Sequence, residues 1–280
     1  MQSFVIGATG IVGGYIVDHL VRGGERPLAL SRQAQPPAAA VGWIEGDLKT
    51  ITRADAPSVS TIFCTAHAML LAETLPRLYT PALTRAVLFT STSIATKLNS
   101  EIPEEREGLR RLAEGEARFI ATCEQLSIGW TVLRPTIIYA EGRDGNVTRL
   151  SRFIRRFGFL PLAGGGSGLR QPVHAEDLAI GAIAASRSEA AINKTYALPG
   201  SDTITYREMA GRIFDDLGKP RRLISLPPFV WRAAFAAAKP FFPGANAAMG
   251  MRMTKDMVFD ATPAQRDFGW SPRGFRPHFP

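Results

Sequence analysis

The chain has 280 residues, with 33 Lys and Arg against 25 Asp and Glu for a formal net charge of +8, and two Cys. A chain of this length forms one large domain or two small ones, and a single globule of this size buries about three quarters of its unfolded surface, so no disulfide scaffold is required for stability. The positive surplus raises nucleic acid and acidic membranes as partners, but Arg far outnumbers Lys and is spread along the chain, which argues against a nucleic-acid stripe.

A short apolar strand over about Ser3 to Ile6 runs into Gly7-Ala8-Thr9-Gly10-Ile11-Val12-Gly13, and an apolar-periodic helix follows. Glycines spaced G-x-x-G-x-x-G between a strand and a helix let the chain turn sharply and bring backbone N–H groups against a pyrophosphate. The partial positive charge of the helix N-terminus adds to that attraction. Further strands are predicted at about Pro27 to Leu30, Gly42 to Glu45, Val59 to Phe63, Ala86 to Phe89 and Trp130 to Leu133, with helical stretches between them. Such alternation predicts an α/β fold, a Rossmann-type doubly wound parallel sheet covered on both faces, over residues 1–140. Pro103 suits a first helical turn and opens a long helix to about Leu126. Its apolar stripe reads Leu109, Leu112, Phe119, Ile120 and Cys123, and Glu116 shares that face.

After Tyr139 the texture turns Gly-rich and the elements shorten, which places a smaller C-terminal α/β lobe at 141–280, expected to pack with the first as one structural unit. A helix over about Val147 to Phe157 carries Arg149, Arg152, Arg155 and Arg156, with Arg149, Arg152 and Arg156 on one face; it reads first as a solvated face and second as a contact for an anionic substrate or acidic surface. Thr205-Tyr206-Arg207-Glu208 is a capping box that opens a helix stopping at Gly218. The apolar stretch from Pro227 to Met251 contains Phe229, Val230, Trp231, Phe235, Phe241 and Phe242 but is broken by Arg232, Lys239 and prolines. It reads as packing or oligomer-contact helices, with peripheral membrane contact as the alternative, and not as a transmembrane span. Cys64 and Cys123 lie in apolar runs and read as small buried hydrophobes. An N-terminus that opens directly on a strand leaves no room for a signal peptide, so a reducing cytoplasm is expected.

The glycine motif, together with Gly46-Asp47-Leu48, Leu133-Arg134-Pro135-Thr136-Ile137-Ile138-Tyr139 and Val173-His174-Ala175-Glu176-Asp177-Leu178-Ala179, resembles the short-chain dehydrogenase/reductase superfamily. The likeness is to its extended or atypical branch, which includes the NAD-dependent epimerases and dehydratases. The resemblance implies a dinucleotide held by Gly7, Thr9, Gly10, Ile11 and Gly13, with Asp47 and Leu48 at the adenine and Thr65 and Ala66 after the fourth strand. It places Pro135, Thr136 and Ile137 beside the nicotinamide. It also implies a catalytic-position hydroxyl at Thr92, with Ser93 its neighbour, and His67 near the adenine or ribose. In nucleotide-sugar relatives an Arg reaches the substrate diphosphate, and Arg170 matches it. Tyr139 is a second substrate-side candidate whose ordinary role is packing. His174 and Asp177 read as structural, Asp177 as the cap of a helix beginning near Leu178. No metal is implied.

A dinucleotide fold distinguishes its cofactors at the end of the second strand, by a carboxylate for the ribose 2′-OH of NAD or an Arg for the 2′-phosphate of NADP. The chain has Ser31-Arg32 there and no carboxylate between Arg26 and Val41, so NADP(H) is the expected cofactor and NAD(H) the alternative. The superfamily's proton-transfer pair, Tyr-x-x-x-Lys, is absent. No tyrosine lies between Tyr79 and Tyr139, and no lysine between Lys97 and Lys194. Placing on Glu116 the Glu that often follows the Lys by four residues puts Gly108 at the Tyr and Leu112 at the Lys. Candidate substitutes are Tyr139, Lys97 and Glu116, the last with a buried ion pair to an arginine as its bland explanation. The expectation is an NADP(H)-binding protein of this type acting as a sensor, scaffold or accessory protein, like the accessory subunit of this fold in respiratory complex I. The alternative is a reductase or nucleotide-sugar epimerase/dehydratase with a substituted acid or base, taking an anionic small molecule.

Overall fold

The structure, a computed structural model, describes residues 2–52, 59–97, 102–227, 229–231, 233, 250 and 252–279. The elements begin with β1 (Ser3–Ile6), α1 (Ile11–Arg22), β2 (Leu28–Ser31), β3 (Gly42–Glu45), β4 (Thr61–Cys64), α2 (Ala68–Leu78), β5 (Arg85–Phe89), α3 (Ser93–Lys97), α4 (Pro103–Gln125) and β6 (Gly129–Pro135). They continue with β7 (Ile138–Tyr139), α5 (Val147–Phe157), β8 (Leu160–Ala163), β9 (Leu169–Arg170), β10 (Val173–His174), α6 (Ala175–Arg187), β11 (Lys194–Leu198), β12 (Ile204–Thr205), α7 (Tyr206–Asp216), β13 (Leu223–Leu226) and α8 (Thr262–Phe268).

Two compact units share the chain, one of Met1–Pro135, Ala175–Leu198 and Asp260–Ser271, the other of Thr136–His174, Pro199–Phe259 and Pro272–Pro280. The single boundary near residue 140 is thus replaced by a discontinuous division. The reason lies in the sheet: β11 pairs with β6 in parallel, from Lys194 beside Thr131 to Leu198 beside Pro135. That strand brings α6 with it, and α6 lies against α1, while α8 lies against α6 and β11.

The first unit holds a seven-stranded parallel sheet of order β11-β6-β5-β4-β1-β2-β3. Every residue of β1 and β4 is buried, as expected of central parallel strands covered on both faces. One face packs on α2 and α4 through Ile62, Leu71, Leu75, Leu88, Phe119 and Val132. These two helices cross closely at Gly115, where a Cβ would stand 2.7 Å from the backbone N of Met69. The strand order reverses between β1 and β4, the point at which open α/β sheets place ligands beyond the strand C-termini.

The second unit is built from small two-stranded pairings, β7 with β10 and β8 with β13 in parallel, and β9 with β12 antiparallel. Its core gathers Tyr139, Val147, Ile154, Leu162, Met209, Ile213, Phe214 and Phe275. The capping box is present, with Thr205 Oγ1 accepting from the Glu208 N–H at 3.0 Å. By contrast α6 begins at Ala175, so Asp177 lies inside its first turn and not at the cap. A carboxylate there still complements the helix dipole. Of the stretch from Pro227 to Met251, Phe235, Phe241 and Phe242 lie outside the described residues. No helix among the described residues is long and apolar enough to cross a membrane.

Candidate functional site

The three motif glycines do three different things. Gly7 turns the chain with φ +83°, and a Cβ on it would stand 2.5 Å from Thr65 Oγ1. Gly13 lets α1 lie directly on the loop, since a Cβ there would be 2.2 Å from the Gly7 carbonyl oxygen. Gly10 caps α1, and the nearest atom to an added Cβ is the Gly7 oxygen at 3.1 Å, with nothing else within 4 Å. Of the three, Gly10 alone meets a single atom, that oxygen, and no more. No side chain caps α1, and its first turn holds no acidic residue. The first N–H groups of a helix lack intrahelical acceptors, so this terminus presents uncompensated donors of the kind an anion satisfies. Thr9 and Gly10 are exposed beside it and Ile11 is half-buried. A pyrophosphate fits this cradle.

The neighbouring strand ends converge on the same edge of the sheet. Thr65 continues β4, its Oγ1 donating to the Gly7 carbonyl at 3.2 Å, and Ala66 follows with an exposed side chain. At the end of β2, Ser31 is buried; its hydroxyl donates to the Gln33 carbonyl at 2.7 Å and accepts from the Gln35 amide at 3.1 Å. Arg32 next to it is exposed and forms no ion pair among the described residues. The Gly46 N–H donates to the Ser31 carbonyl at 2.8 Å, which sets Asp47 beyond β3 beside the end of β2. Asp47 is half-buried and its Oδ1 accepts from the Lys49 N–H at 2.9 Å, whereas the Leu48 side chain belongs to the core. His67 caps α2 and is exposed.

At the β5 and β6 ends, Thr92 is 6% exposed, and both its N–H and its hydroxyl donate to the Pro135 carbonyl, at 3.1 and 2.9 Å. The Ser93 N–H donates to Ser91 Oγ at 3.1 Å in the turn that opens α3. Lys97 ends α3, and its side chain lies outside the described residues.

Helix α4 passes over this end of the sheet. Gly108 is exposed on it, with nothing within 4 Å of an added Cβ, and Leu112 is half-buried. Glu116, one turn further on, is 5% exposed and is held from two strands. Thr90 Oγ1 donates to its Oε2 at 2.7 Å, Arg134 Nε donates to the same oxygen at 3.1 Å, and Arg134 Nη2 donates to Oε1. The register pairs Phe89 with Leu133, so Thr90 and Arg134 are lateral neighbours. Period-two alternation puts them on the face of Leu88 and Val132, the face that α4 covers. The partners of Glu116 were therefore readable in principle from strand alternation, once the register was known. As a proton carrier Glu116 is poorly placed, because both carboxylate oxygens already accept from fixed donors.

In the second unit, Thr136 Oγ1 donates to the Gln171 carbonyl, and the Ile137 carbonyl accepts from the Val173 N–H at 3.0 Å. Tyr139 is 1% exposed and meets the rings of His174 and Phe275 edge-on, each with centroids 5.0 Å apart. His174 Nε2 lies 3.3 Å from Glu141 Oε2. Arg170 is 6% exposed and lies over the Tyr206 ring. Its Nη1 donates to the carbonyls of Leu169 and Lys255, both at 2.7 Å, and its Nη2 to that of Arg252 at 2.6 Å. The arginine matched to a diphosphate contact is thus engaged with three backbone carbonyls of its own chain.

The whole architecture has counterparts among solved structures. MoeE5 in complex with UDP-glucuronic acid and NAD superposes with a TM-score of 0.75 at 17% identity, covering 99% of this chain and 95% of that one. UDP-glucuronic acid 4-epimerase from Bacillus cereus, in complex with UDP-glucuronic acid and NAD, gives 0.75 at 14% identity over 98% and 95%. The chain thus has the fold of these NAD-bound solved structures. By sequence the chain is 29% identical over 262 residues to NADH dehydrogenase (ubiquinone) 1 alpha subcomplex subunit 9, mitochondrial, of Arabidopsis thaliana, a match over 85% of this chain and 63% of that protein. It is also 30% identical over 176 residues to the uncharacterized protein y4nG of Sinorhizobium fredii, across 61% of this chain and 43% of that one. The matches thus span less than two thirds of the length of either curated relative. No family model matches the chain.

Proposed function

We propose that this protein binds NADP(H) and acts as a dinucleotide-dependent sensor, scaffold or accessory protein, without the superfamily's proton-transfer chemistry. What carries the proposal is the sequence of α4: with Glu116 taken as the Glu that follows the Lys by four residues in relatives, Gly108 and Leu112 fall at the Tyr and Lys positions, and neither moves a proton. Glu116, the nearest carboxylate on that stripe, is committed to Thr90 and Arg134. Loss of a positioned acid or base costs about a hundred- to ten-thousandfold in rate. The relative named as an NADH dehydrogenase subunit supports an accessory role, and Arg170 bound to backbone carbonyls supports the absence of a diphosphate-sugar contact. Exposed Arg32 next to Ser31, with no carboxylate nearby in sequence, supports NADP(H) over NAD(H), although the solved neighbours hold NAD. A reducing compartment fits the free, buried Cys64 and Cys123.

The alternative is an enzyme with a substituted acid, and the buried Thr92 hydroxyl at the end of β5 favours it. A nicotinamide bound there supplies a hydride donor or acceptor. Titration calorimetry with NADPH and NADH separates the cofactors: NADPH should bind more tightly, and Arg32→Asp should erase the difference. Equal affinities unchanged by that substitution overturn the NADP(H) assignment. Turnover assays across nucleotide sugars, quinones and simple carbonyls should show no sustained NADPH oxidation, and a rapid, stoichiometric reaction with any of them overturns the non-catalytic role.

A further inference from the structure

The net charge of the chain is divided unevenly between its two units. The unit of residues 136–174, 199–259 and 272–280 carries 17 Lys and Arg against 7 Asp and Glu, a net +10, while the other carries 16 against 18, a net −2. An overall arginine bias would load both units alike, so the partition needs a local cause.

Helix α5 concentrates it. Its 11 residues include Arg149, Arg152, Arg155 and Arg156 and no Asp or Glu, and all four arginines are exposed. Elsewhere in the same unit, Arg212 pairs with Asp202 and Glu208, and Arg221 with Asp215 and Glu208. On α5, Arg149 and Arg156 have no carboxylate partner among the described residues, and Arg152 donates only to the Gly142 carbonyl at 3.2 Å. Exposed Arg222 adds a further cation at the helix C-terminus, because its carbonyl accepts from the N–H of Leu160, three residues past Phe157.

Phe153 and Phe157, four residues apart, run beside Arg149 and Arg156, and Phe157 is 45% exposed. Phe153, Phe157 and Phe159 form a three-ring cluster with tilted and edge-on contacts at 4.6, 6.1 and 6.4 Å between centroids. Arg156 lies over the Phe157 ring, 5.5 Å from its centroid. Rings packed edge-on, with a guanidinium over the outermost, offer no flat platform for nucleobases. Arginines that pair with phosphates, flanking an exposed phenylalanine, match an anionic lipid surface. The apolar face of α5, with Val147 and Ile154 fully buried, is already taken up by the core. The helix therefore has a cationic face and one aromatic edge to present, not an insertable apolar face.

We infer that the outward face of α5, Arg149, Arg152, Arg155 and Arg156 with Phe157 at its end, docks on membranes rich in acidic phospholipid. Each arginine near such a surface is worth about fivefold in partitioning. Co-sedimentation of the full chain with 100 nm vesicles of phosphatidylcholine containing about one third phosphatidylserine tests this. Binding should be strong at low salt, absent on pure phosphatidylcholine and lost at high salt, where surface charges are screened. Replacing all four arginines by Gln should weaken binding by about a hundredfold or more, with circular dichroism and NADPH affinity unchanged. Phe157→Ser alone should weaken vesicle binding several-fold and leave binding to a single-stranded oligonucleotide unaltered. Vesicle binding that survives the fourfold substitution, equal binding to neutral vesicles, or tighter capture of the oligonucleotide than of the acidic vesicles overturns the proposal.

Discussion

Replacing Glu116 by Ala removes a carboxylate that is 5% exposed and accepts from Thr90 Oγ1 and from both Nε and Nη2 of Arg134. Stranding one member of a fully buried pair costs about 3–5 kcal/mol. The Arg134 side chain keeps 28% exposure, so water recovers part of that loss, and the expected cost is about 2–3 kcal/mol. In a chain of this size about 1 kcal/mol moves Tm by about 2–4 °C, which puts the drop at about 4–12 °C. Glu116→Gln keeps a neutral acceptor for Thr90 and should fall less. Arg134→Met leaves the carboxylate buried and uncompensated, and should cost at least as much as Glu116→Ala. Combining Glu116→Gln with Arg134→Met removes both charges, and its loss should be smaller than the sum of the single losses by about 1–3 kcal/mol. Differential scanning calorimetry reads the set, with NADPH affinity measured alongside. An unchanged Tm in Glu116→Ala, or a double variant whose loss equals the sum, would refute the ion pair as the reason this carboxylate is buried. Loss of a measured turnover at unchanged Tm would restore Glu116 as a proton carrier.

The glycine loop separates ligand contact from packing. Gly10→Ala should fold with a stability change under about 1 kcal/mol and bind NADPH at least tenfold more weakly, whereas Gly13→Ala drives a Cβ onto the Gly7 backbone and should cost about 1–3 kcal/mol in denaturant melts. Equal stability of the two variants contradicts that division. At acid pH, the Asp267 carboxyl is held well below its ordinary 3.8 by hydrogen bonds from Arg266, Tyr196 and Lys194. A depressed folded value adds stability above the ordinary one that is lost as pH falls through the folded one. Between about pH 4 and pH 2 the Tm of the native protein should therefore fall more steeply than that of Asp267→Asn; parallel curves would exclude the linkage. Burial pushes the Cys64 and Cys123 thiols from 9.0 up to about 12. Stability from these raised values is complete below the unfolded value and drains away as pH climbs from about 8.5 toward 12. A thiol reagent at pH 8 should label neither cysteine until the chain unfolds, and fast labelling of the native protein would count against their burial.

The α/β class and the position of the glycine loop followed from the sequence because both rest on local physics. Apolar strands alternate with helices, and glycines at fixed spacing determine where the backbone can turn. The extents of α5 and the capping of α7 by Thr205 are equally local, set by side-chain periodicity and one hydroxyl within reach of the Glu208 N–H. Which glycine faces a ligand was not local: Gly10 and Gly13 differ only in what the folded chain places beside each Cβ. The partner of Glu116 lies 18 residues away on a strand whose register with β5 sets Thr90 beside Arg134. Arg170 looks like a ligand arginine in sequence, and the carbonyls of Arg252 and Lys255, more than 80 residues on, engage its guanidinium. The placement of α6, β11 and α8 with the Rossmann sheet came from strand pairing across nearly 60 residues of intervening chain. The positive surplus, by contrast, is already a property of the sequence, since residues 141–280 carry the whole net +8. Charge and residue type are properties of the sequence, but whether a charged side chain is paired with a carboxylate, engaged with a carbonyl or exposed to solvent depends on contacts that only chain packing creates.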